Sequence, residues 1–395
     1  FCLDQQSIHS EGNKRMLEAI RSNSSTGGYA VHALTGGDWV LGAGLIDLFR
    51  NPKRSYWGTK EANQPRYLAI RVRPRNVYAA QGAKITVTGI NDLDDTAGSL
   101  KVDIVSADGT SVFQETKHAA LRSGVTPIFE AELKAGELSG GYTVRTRLTD
   151  EDGVIVAENS VAFDVFADQR LVKPTGKIAV LDINNSLRPF LDRSGVSHVE
   201  FGVDTPKSVP VFVSKAWAAK PKVTERFAEL EKFVKQGGTA VYLETVQRWA
   251  QNPMWSGKVP PEGVLPMKLN IQHAMGLWVG VSHIVTDHPV FEGLPTNCMM
   301  GQAYENVWSP HTLRDLDGDL IVGSVSHGWF HGDKDAQNYI GPSPAWFGMD
   351  MGTVAHGQGR YILSTLRVVE NLGSDPVADK ILFNLIDWTT AQANR

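Results

Sequence analysis

The sequence predicts a multidomain protein in which an α/β segment is followed by an all-β segment and then by a second α/β domain. Its 395 residues exceed the length of a typical single domain, so two or three domains are expected. Residues 72–168 alternate apolar and polar side chains over several short stretches, which is typical of antiparallel strands. Residues 173–395 contain continuous apolar strands and amphipathic helices, which indicate a parallel sheet flanked by helices.

Composition excludes several functional classes. The chain is 42% hydrophobic and 21% charged, as is usual for a soluble globular protein, and its net charge of -4 argues against a nucleic-acid surface or a polybasic membrane patch. No apolar run approaches the roughly 20 residues of a membrane span. Cys2 and Cys298 are its only cysteines, so neither a disulfide framework nor a cysteine-rich zinc site is expected. We expect no cofactor and no metal.

The first segment, residues 1–71, follows the order helix, strand, loop, helix. Apolar residues on one face predict a helix over 9–23, and "YAVHAL" predicts a buried strand over 29–34. A glycine-rich loop follows, and then a helix over 55–61 that Pro65 ends. This order is typical of a parallel α/β structure.

The second segment predicts an immunoglobulin-like β-sandwich with a structural role. The turn sequences "ADG" and "EDG" separate stretches of alternating polarity, as expected for hairpins. The predicted strands are 84–90, 100–106, 127–133, 141–149 and 154–165.

The third segment predicts an open parallel sheet of the flavodoxin-like kind. A helix is expected over 222–236, where "QGG" supplies the glycines of a helix C-terminus, and a last helix is expected from about Ser374. The predicted strands are 177–183, 209–215, 239–244, 319–326 and 360–366.

Two stretches near the start carry a resemblance to a known family. "GGYAVHALTGGDW" (27–39) and "GLIDLFRNPKRSYWGTKEANQP" (44–65) resemble the end of the catalytic barrel in glycoside hydrolase family 2, the β-galactosidase and β-glucuronidase group. The residues that fit the family's order are Gly28, Tyr29, Asp38, Trp39, Gly44, Leu45, Asp47, Arg50, Pro52, Lys53, Tyr56, Lys60 and Pro65. The resemblance implies that residues 1–71 are the C-terminal piece of a (β/α)8 barrel.

The resemblance also implies a substrate-binding role for Trp39. Catalytic groups of such barrels lie at the carboxyl ends of the strands, and an indole there can stack on a sugar ring. Asp38 is a weaker candidate, which would orient a loop or contact a sugar hydroxyl. The alternative is that Trp39 packs in the barrel mouth or against the second segment.

The catalytic acids that the resemblance implies are not in this sequence. Retaining hydrolysis of β-linked sugars needs two carboxylates about 5–5.5 Å apart. In the family these are glutamates on the fourth and seventh strands, which would precede Phe1. The chain begins without a leader-like pattern, as if within a folded domain, so we expect the C-terminal portion of a glycosidase that is inactive alone. Glu11 is expected to be a solvated helix residue. The resemblance favours a periplasmic or secreted protein, with a cytoplasmic one still open.

The third segment resembles the class I glutamine-amidotransferase fold. The stretches are "FVKQGGTAVYLE" (233–244), "HPVFEGLP" (288–295) and "VAHGQGRYILSTL" (354–366). Working members carry a cysteine on the turn after the strand that corresponds to 239–244, but here that turn begins Glu244-Thr245. The resemblance therefore implies a degenerate domain that serves oligomerisation or shapes a cleft. The alternative function is a non-catalytic carbohydrate-binding or oligomerisation module.

Three other clusters in the third segment contain polar or aromatic residues of functional types. "SHGWFHGDKD" (326–335) is predicted to be a polar loop rather than a metal site. "DLDGDL" (315–320) lacks the glycine and glutamate spacing of a calcium loop and predicts a hairpin turn at Asp317 and Gly318. The aromatic residues concentrated over 308–347 indicate either a core or a carbohydrate-binding or subunit surface.

Overall fold

The protein is a mixed α/β chain that forms two compact units. The structure, a computed structural model, describes residues 1–31, 34–35, 44–47, 49–166, 173–220, 224–246, 259–273, 282–309, 311–326 and 346–393. The first unit contains the described residues up to 166, and the second contains those from 173 onward. The division into three domains at 1–71, 72–168 and 173–395 stays a prediction. Within the described ranges, no helix combines the length and the apolar character that crossing a bilayer requires.

Two helices open the first unit. Helix α1 spans Cys2–Arg21 and helix α2 spans Arg54–Ala62. The start predicted for α1 is wrong: the helix begins seven residues before 9, because no glycine or proline interrupts "CLDQQSI" and Asp4 lies favourably in the first turn. The two helices pack closely at Gly58, where a Cβ atom would lie 2.4 Å from the hydroxyl of Ser10.

The strand predicted over 29–34 does not form in its described part. Residues 29–31 are irregular and join no ladder with the described strands, and residues 32–33 lie outside the described residues. A strand needs a partner to satisfy its backbone groups, and an apolar run supplies none by itself. The neighbouring Thr35 forms a single parallel bridge with Ile46.

The remainder of the first unit consists of two sheets that share one hydrophobic core. The three-stranded sheet has the order β1-β3-β6, the five-stranded sheet has the order β2-β8-β7-β4-β5, and every pair is antiparallel except β2 with β8. The strands are β1 (Arg66–Arg73), β2 (Asn76–Tyr78), β3 (Ala83–Asn91), β4 (Thr96–Ser106), β5 (Ser111–Leu121), β6 (Gly124–Leu133), β7 (Gly140–Thr149) and β8 (Ile155–Phe166).

Alternation of polarity predicted five of these strands but not β1, β2 or β5. Strand β1 buries four consecutive residues from Tyr67 to Ile70, so it lacks the period of two that marks a half-buried strand. One of its faces contacts the shared core, and the other contributes Tyr67 and Ala69 to a small cluster with Leu17 of α1 and Ala62 of α2. Strand β1 therefore joins the helices to the sheets.

The second unit contains one mixed sheet of eleven described strands and four described helices. The helices are α3 (Arg188–Ser194), α4 (Thr224–Lys235), α5 (Val368–Asn371) and α6 (Pro376–Ala393). The strands are β9 (Ile178–Leu181), β10 (His198–Glu200), β11 (Val211–Lys215), β12 (Thr239–Glu244), β13 (Asn270–His273), β14 (Ser282–Val285), β15 (Cys298–Met299), β16 (His311–Arg314), β17 (Asp319–Ser326), β18 (Trp346–His356) and β19 (Gly359–Ser364).

Only half of this sheet is parallel. Strands β10-β9-β11-β12-β19 run parallel in that order, whereas β19-β18-β17-β14-β15 are antiparallel. The prediction of a wholly parallel sheet is therefore wrong for 319–326. The two neighbours of β17 in the sheet, β18 and β14, both run antiparallel to it. The tight turn at Gly357, with φ of +63°, folds β19 directly back along β18, which places an antiparallel strand between β19 and β17.

The turn predicted at Asp317 and Gly318 is not a hairpin. Strands β16 and β17 on either side of it pair with β18 and not with each other: Leu313 of β16 lies opposite Met349, and Asp319 of β17 lies opposite Thr353. The segment 315–318 thus connects two strands that share β18 as a neighbour.

Helix α4 shows how the parallel half is covered. Its apolar stripe of Phe227, Leu230, Phe233 and Val234 is buried in the core that β12 and β19 also line. Gly237, with φ of +102°, follows the helix as the sequence predicts.

Candidate functional site

The two predicted substrate-binding residues, Asp38 and Trp39, lie outside the described residues, and their role stays a prediction. The described residues nearest to them contact one another. The N–H groups of Leu45 and Ile46 donate to the carbonyl oxygen of Leu34 at 2.8 and 3.0 Å. Residues 34–35 and 44–46 are therefore adjacent in space.

The "LIDLFRNPK" stretch forms a turn around Asp47. One carboxylate oxygen of Asp47 accepts the N–H groups of Phe49 and Asn51, each at 2.8 Å, and the other accepts the Asn51 amide at 3.0 Å. These hydrogen bonds lower the pKa of Asp47, with the Asn51 side chain contributing most. Arg50 takes a left-handed conformation at φ of +70°, and Lys53 donates its N–H to Leu45. Asp47 thus acts as a structural residue.

The acidic residues of α1 are also held by partners. Glu11, predicted to be solvated, forms a half-buried ion pair with Arg75, so that prediction is wrong. Glu18 is only 1% exposed and accepts hydrogen bonds from Tyr67 at 2.8 Å, from Asn159 at 3.1 Å and from Arg71 at 3.2 Å. Burial, followed by the charge of Glu18, raises the pKa of the Tyr67 hydroxyl.

The Glu18 network has little signature in the amino-acid sequence. Glu18 stands beside Leu17 on the apolar side of α1, and a carboxylate at such a position is expected to need a buried partner. Its partners come from β1 and β8, up to 141 residues away in the chain. No local pattern could identify them.

In the second unit, the most unusual carboxylate is Glu244 at the carboxyl end of β12. It is 5% exposed, and Lys215 lies next to it in register on β11. Its carboxylate accepts the backbone N–H of Glu370 at 2.7 Å. Burial raises the pKa of Glu244 to about 7, against the opposing attraction of Lys215. The carboxyl ends of parallel strands are where open α/β sheets bind ligands, and a carboxyl group with such a pKa can hold or release a proton near neutral pH.

Cys298 lies far from this position. It belongs to β15, at the end of the antiparallel half, where it pairs with Val285 and is half-buried. Five strand spacings separate β12 from β15 in the sheet order, which corresponds to about 24 Å. Cys298 therefore cannot act together with Glu244.

A buried polar cluster in the antiparallel half was not predicted. Asp350 is fully buried; His283 Nδ1 lies 2.7 Å from one of its oxygens, and the Ser324 hydroxyl lies 2.6 Å from both. The register between β17 and β18 shifts beside Asp350, as in a β-bulge. The His283 ring lies 5.7 Å from that of Trp308, which the guanidinium of Arg367 also approaches at 6.0 Å.

The remaining predicted clusters add no further candidate site among the described residues. Residues 327–335 of the polar loop lie outside the described residues. Of the aromatic residues over 308–347, Trp308 packs in the His283 cluster, whereas Phe347 is 72% exposed. Among the described residues, no group of three or more histidine, cysteine, aspartate or glutamate side chains is arranged to hold a metal ion.

Comparison with known proteins shows partial structural likeness to β-glycosidases. No family model and no curated protein matches the chain. The exo-chitosanase CsxA of Amycolatopsis orientalis matches with 20% identity over 40% of this chain and 19% of that chain, with a TM-score of 0.30. A β-glucuronidase of Bacteroides uniformis matches with 14% identity over 46% and 29%, with a TM-score of 0.22. A β-D-mannosidase of Dictyoglomus thermophilum matches with 20% identity over 35% and 16%, with a TM-score of 0.23. The chain thus spans less than a third of each of these glycosidases.

Proposed function

We propose that this chain is the C-terminal portion of a family-2-like glycoside hydrolase that acts on β-linked sugars with retention of configuration. In this proposal, residues 1–71 end a (β/α)8 barrel, residues 72–168 form an immunoglobulin-like sandwich, and residues 173–395 form a degenerate amidotransferase-like domain. The observation that carries the proposal is the ordered run of family-like residues over 27–65, which leads without interruption into the strands of the first unit.

The contacts of this run support its assignment as a structural junction. The Asp47 turn closes against Leu45, and the hydroxyl of Ser55 at the start of α2 donates to the carbonyl oxygen of Gly44 at 3.3 Å. Helix α2 then ends at Ala62, within the cluster that includes Tyr67 of β1. The residues shared with the family are therefore those that connect the predicted barrel end to the first sheet.

The acidic side chains of the same region support the placement of the catalytic pair upstream. Glu11, Glu18 and Asp47 are engaged by the partners described above, and Glu61 accepts a hydrogen bond from Lys14 at 2.6 Å. A catalytic nucleophile and a general acid must instead face the glycosidic bond. We therefore assign both roles to glutamates on polypeptide preceding Phe1, and we assign sugar stacking to Trp39 and a hydroxyl contact to Asp38.

The test uses a longer protein that includes the polypeptide encoded upstream. It is assayed on nitrophenyl β-glycosides of galactose, glucose, glucuronic acid, mannose and glucosamine, beside the 395-residue chain. We expect turnover of at least one substrate by the longer protein and none by this chain. Trp39→Ala should lower kcat/KM about 10-fold or more, because a stacked aromatic contributes burial as well as ring contact. Trp57→Ala is the matched control, since Trp57 is 54% exposed on α2.

Two results would overturn the proposal. The first is a folded longer protein that turns over none of these substrates. The second is equal kcat/KM for the Trp39→Ala and Trp57→Ala variants, which would show that the indole of Trp39 does not contact the sugar.

A second role, in assembly, is favoured for the second unit. The turn after β12 carries Glu244 and Thr245 in place of a nucleophile, and Cys298 lies five strands away. A domain without a catalytic nucleophile at this turn can still provide a surface for contact with a second copy of the chain. Size-exclusion chromatography with light scattering on the 395-residue chain should give a mass above 43.2 kDa. A monomer at micromolar concentration would refute the assembly role.

A further inference from the structure

A polar cleft of about 510 Å³ opens on the first unit, beside the C-terminal end of α2. Its lining comes from Glu61 at the C-terminal end of α2, from Gln64 just after that helix, and from strands β4, β7 and β8. Every lining residue is polar or charged. The volume lies within the range of small-molecule sites, but the usual apolar walls of such sites are missing. The cleft therefore suits a ligand that presents hydroxyl and charged groups rather than an apolar surface.

The floor of the cleft carries two cross-strand rows of side chains. In one row, Lys101 of β4 and Glu158 of β8 lie opposite Arg147 of β7. In the other row, Asp103 of β4 and Ser160 of β8 lie opposite Arg145 of β7. Residues opposite one another on adjacent strands are close enough to contact one ligand group together.

The ionic groups of the first row are already paired. Arg147 donates to the Glu158 carboxylate through Nε at 3.1 Å and approaches it through Nη2 at 3.0 Å. Lys101 lies 3.6 Å from one oxygen of Asp103, and the other Asp103 oxygen accepts the hydroxyl of Ser111 at 2.5 Å. These charges need no ligand to balance them.

The wall beside the floor is held in place from behind. Lys14 of α1 donates to Glu61 at 2.6 Å and to the side-chain oxygen of Asn159 at 2.7 Å. Asn159 is buried and also donates to the carbonyl oxygen of Leu68 at 2.7 Å. The cleft is therefore preorganised, which lowers the entropy cost of binding.

Arg145 is the exception in this arrangement. Within the described ranges of the chain, its side chain makes no hydrogen bond and no ion pair, although Asp103 lies opposite it. Each of the three carboxylates that line the cleft already has a cation as partner: Glu61 pairs with Lys14 behind the wall, Asp103 with Lys101, and Glu158 with Arg147. Arg145 is the lining cation that these pairs leave over. A guanidinium presents a fork of N–H donors that matches the two oxygens of an oxyanion.

We propose that this cleft binds an acidic saccharide, with the oxyanion of a uronate or a sulfate ester on Arg145 and the sugar hydroxyls on Ser160, Gln64 and Asp103. The choice of a saccharide rests on the proposed function, whereas the choice of an oxyanion rests on Arg145 alone. The carboxylate and the sulfate ester both present negatively charged oxygens that can accept two N–H groups of the guanidinium. The experiment separates them.

Binding is measured by isothermal titration calorimetry on the 395-residue chain, with a β-linked tetraglucuronate as the first probe. The second probe is the same tetrasaccharide with its carboxylates reduced to alcohols, and the third is a sulfated tetrasaccharide of neutral sugars. Sodium sulfate and a tetraglutamate peptide complete the set. We expect tetraglucuronate or the sulfated tetrasaccharide to bind at least 10-fold more tightly than the reduced form, sodium sulfate or the peptide.

The variants are Arg145→Gln and Arg145→Lys, with Arg122→Gln as the matched control. Arg122 is exposed on the same unit and does not line the cleft. Arg145→Gln should weaken acidic-saccharide binding about 10-fold to 100-fold, which is the range for losing hydrogen bonds to a charged group. Arg145→Lys should restore part of it, and Arg122→Gln should change it less than 2-fold. Thermal unfolding of each variant reports its folding independently.

Several results would overturn the inference. These are equal binding of the reduced tetrasaccharide, no binding of either acidic saccharide at millimolar concentration, tighter binding of the peptide, or equal effects of Arg145→Gln and Arg122→Gln. Turnover of nitrophenyl glycosides is not part of this experiment. Loss of acidic-saccharide binding would therefore refute the role of the cleft alone, whereas absence of glycoside turnover would refute the proposed function alone.

Discussion

The raised pKa of Glu244 predicts a specific loss of stability between pH 4.5 and pH 8. In the folded protein burial raises the pKa of this carboxyl to about 7, whereas an unperturbed glutamate has a value of 4.5. The native state therefore binds the proton more tightly than the unfolded state does. The stabilisation is fully present below pH 4.5 and is lost as the pH rises through about 7.

The size of the effect follows from the two pKa values. The difference between 4.5 and about 7, at about 1.4 kcal/mol for each pH unit, gives about 3 kcal/mol of unfolding free energy. Glu244→Gln removes the titration while keeping an oxygen that can accept the N–H of Glu370. Relative to the unchanged protein, the variant should therefore gain about 3 kcal/mol between pH 4 and pH 8. Other titrating groups are common to both proteins and cancel in the difference.

Urea unfolding followed by tryptophan fluorescence measures this difference. Eight of the ten tryptophans lie at or beyond Trp217, so the signal reports mainly on the second unit. Both proteins are unfolded at half-unit pH intervals from 4 to 8.5, and the difference in free energy is plotted against pH. A curve that stays flat within about 0.5 kcal/mol would refute the reasoning, because the Glu244 carboxyl would then be solvated in the folded state.

Two further predictions concern the buried polar networks. Glu18→Ala should destabilise the first unit by about 3–5 kcal/mol, because it leaves a partly buried arginine and a buried tyrosine hydroxyl without their acceptor. Hydrogen exchange of first-unit peptides measures this loss, and the exposed control Glu115→Ala should cost less than about 0.5 kcal/mol. Asp350→Ala should destabilise the second unit by about 3 kcal/mol, because it leaves His283 and Ser324 without their hydrogen-bond partner. The exposed control Asp317→Ala should leave the midpoint of urea unfolding unchanged. Equal midpoints for the two variants would show that the cluster does not stabilise the fold.

The elements that the sequence predicted well are those whose burial has a simple period. Strand β12 is buried throughout and matches the predicted range 239–244, and β7 alternates buried and exposed residues over nearly all of 141–149. Strand β5 was missed because most of its residues are exposed at the edge of a sheet. The direction of β18 was also beyond prediction, since it depends on a turn at Gly357 and on partners distant in sequence.

The site residues were harder to predict than the fold because their chemistry depends on distant partners. In the sequence, Glu244 is distinguished only by its position, where the resemblance to amidotransferases places a cysteine. Its raised pKa arises from burial among elements that include Glu370, 126 residues later. Arg145 has no sequence signal at all, since an arginine on an alternating strand is usually an exposed residue that needs no explanation. That Arg145 lacks an ion-pair partner among the described residues becomes clear only from the structure, in which Lys101 pairs with Asp103 and Arg147 pairs with Glu158.

Helices α1 and α2 obtain their stability from the sheets of the same unit. Helix α2 has nine residues, fewer than an isolated helix needs to be stable in water. What holds the pair is contact with β1 and β8: Leu17 and Ala62 pack on Tyr67, and Lys14 and Glu18 bond to Asn159. Glu18 accepts a hydrogen bond from Asn159, and Glu61 accepts one from Lys14. These two carboxylates therefore have structural roles. This agrees with the function that we propose, in which the catalytic carboxylates are other residues. It also agrees with the inferred role of Arg145, whose charge this packing leaves unpaired.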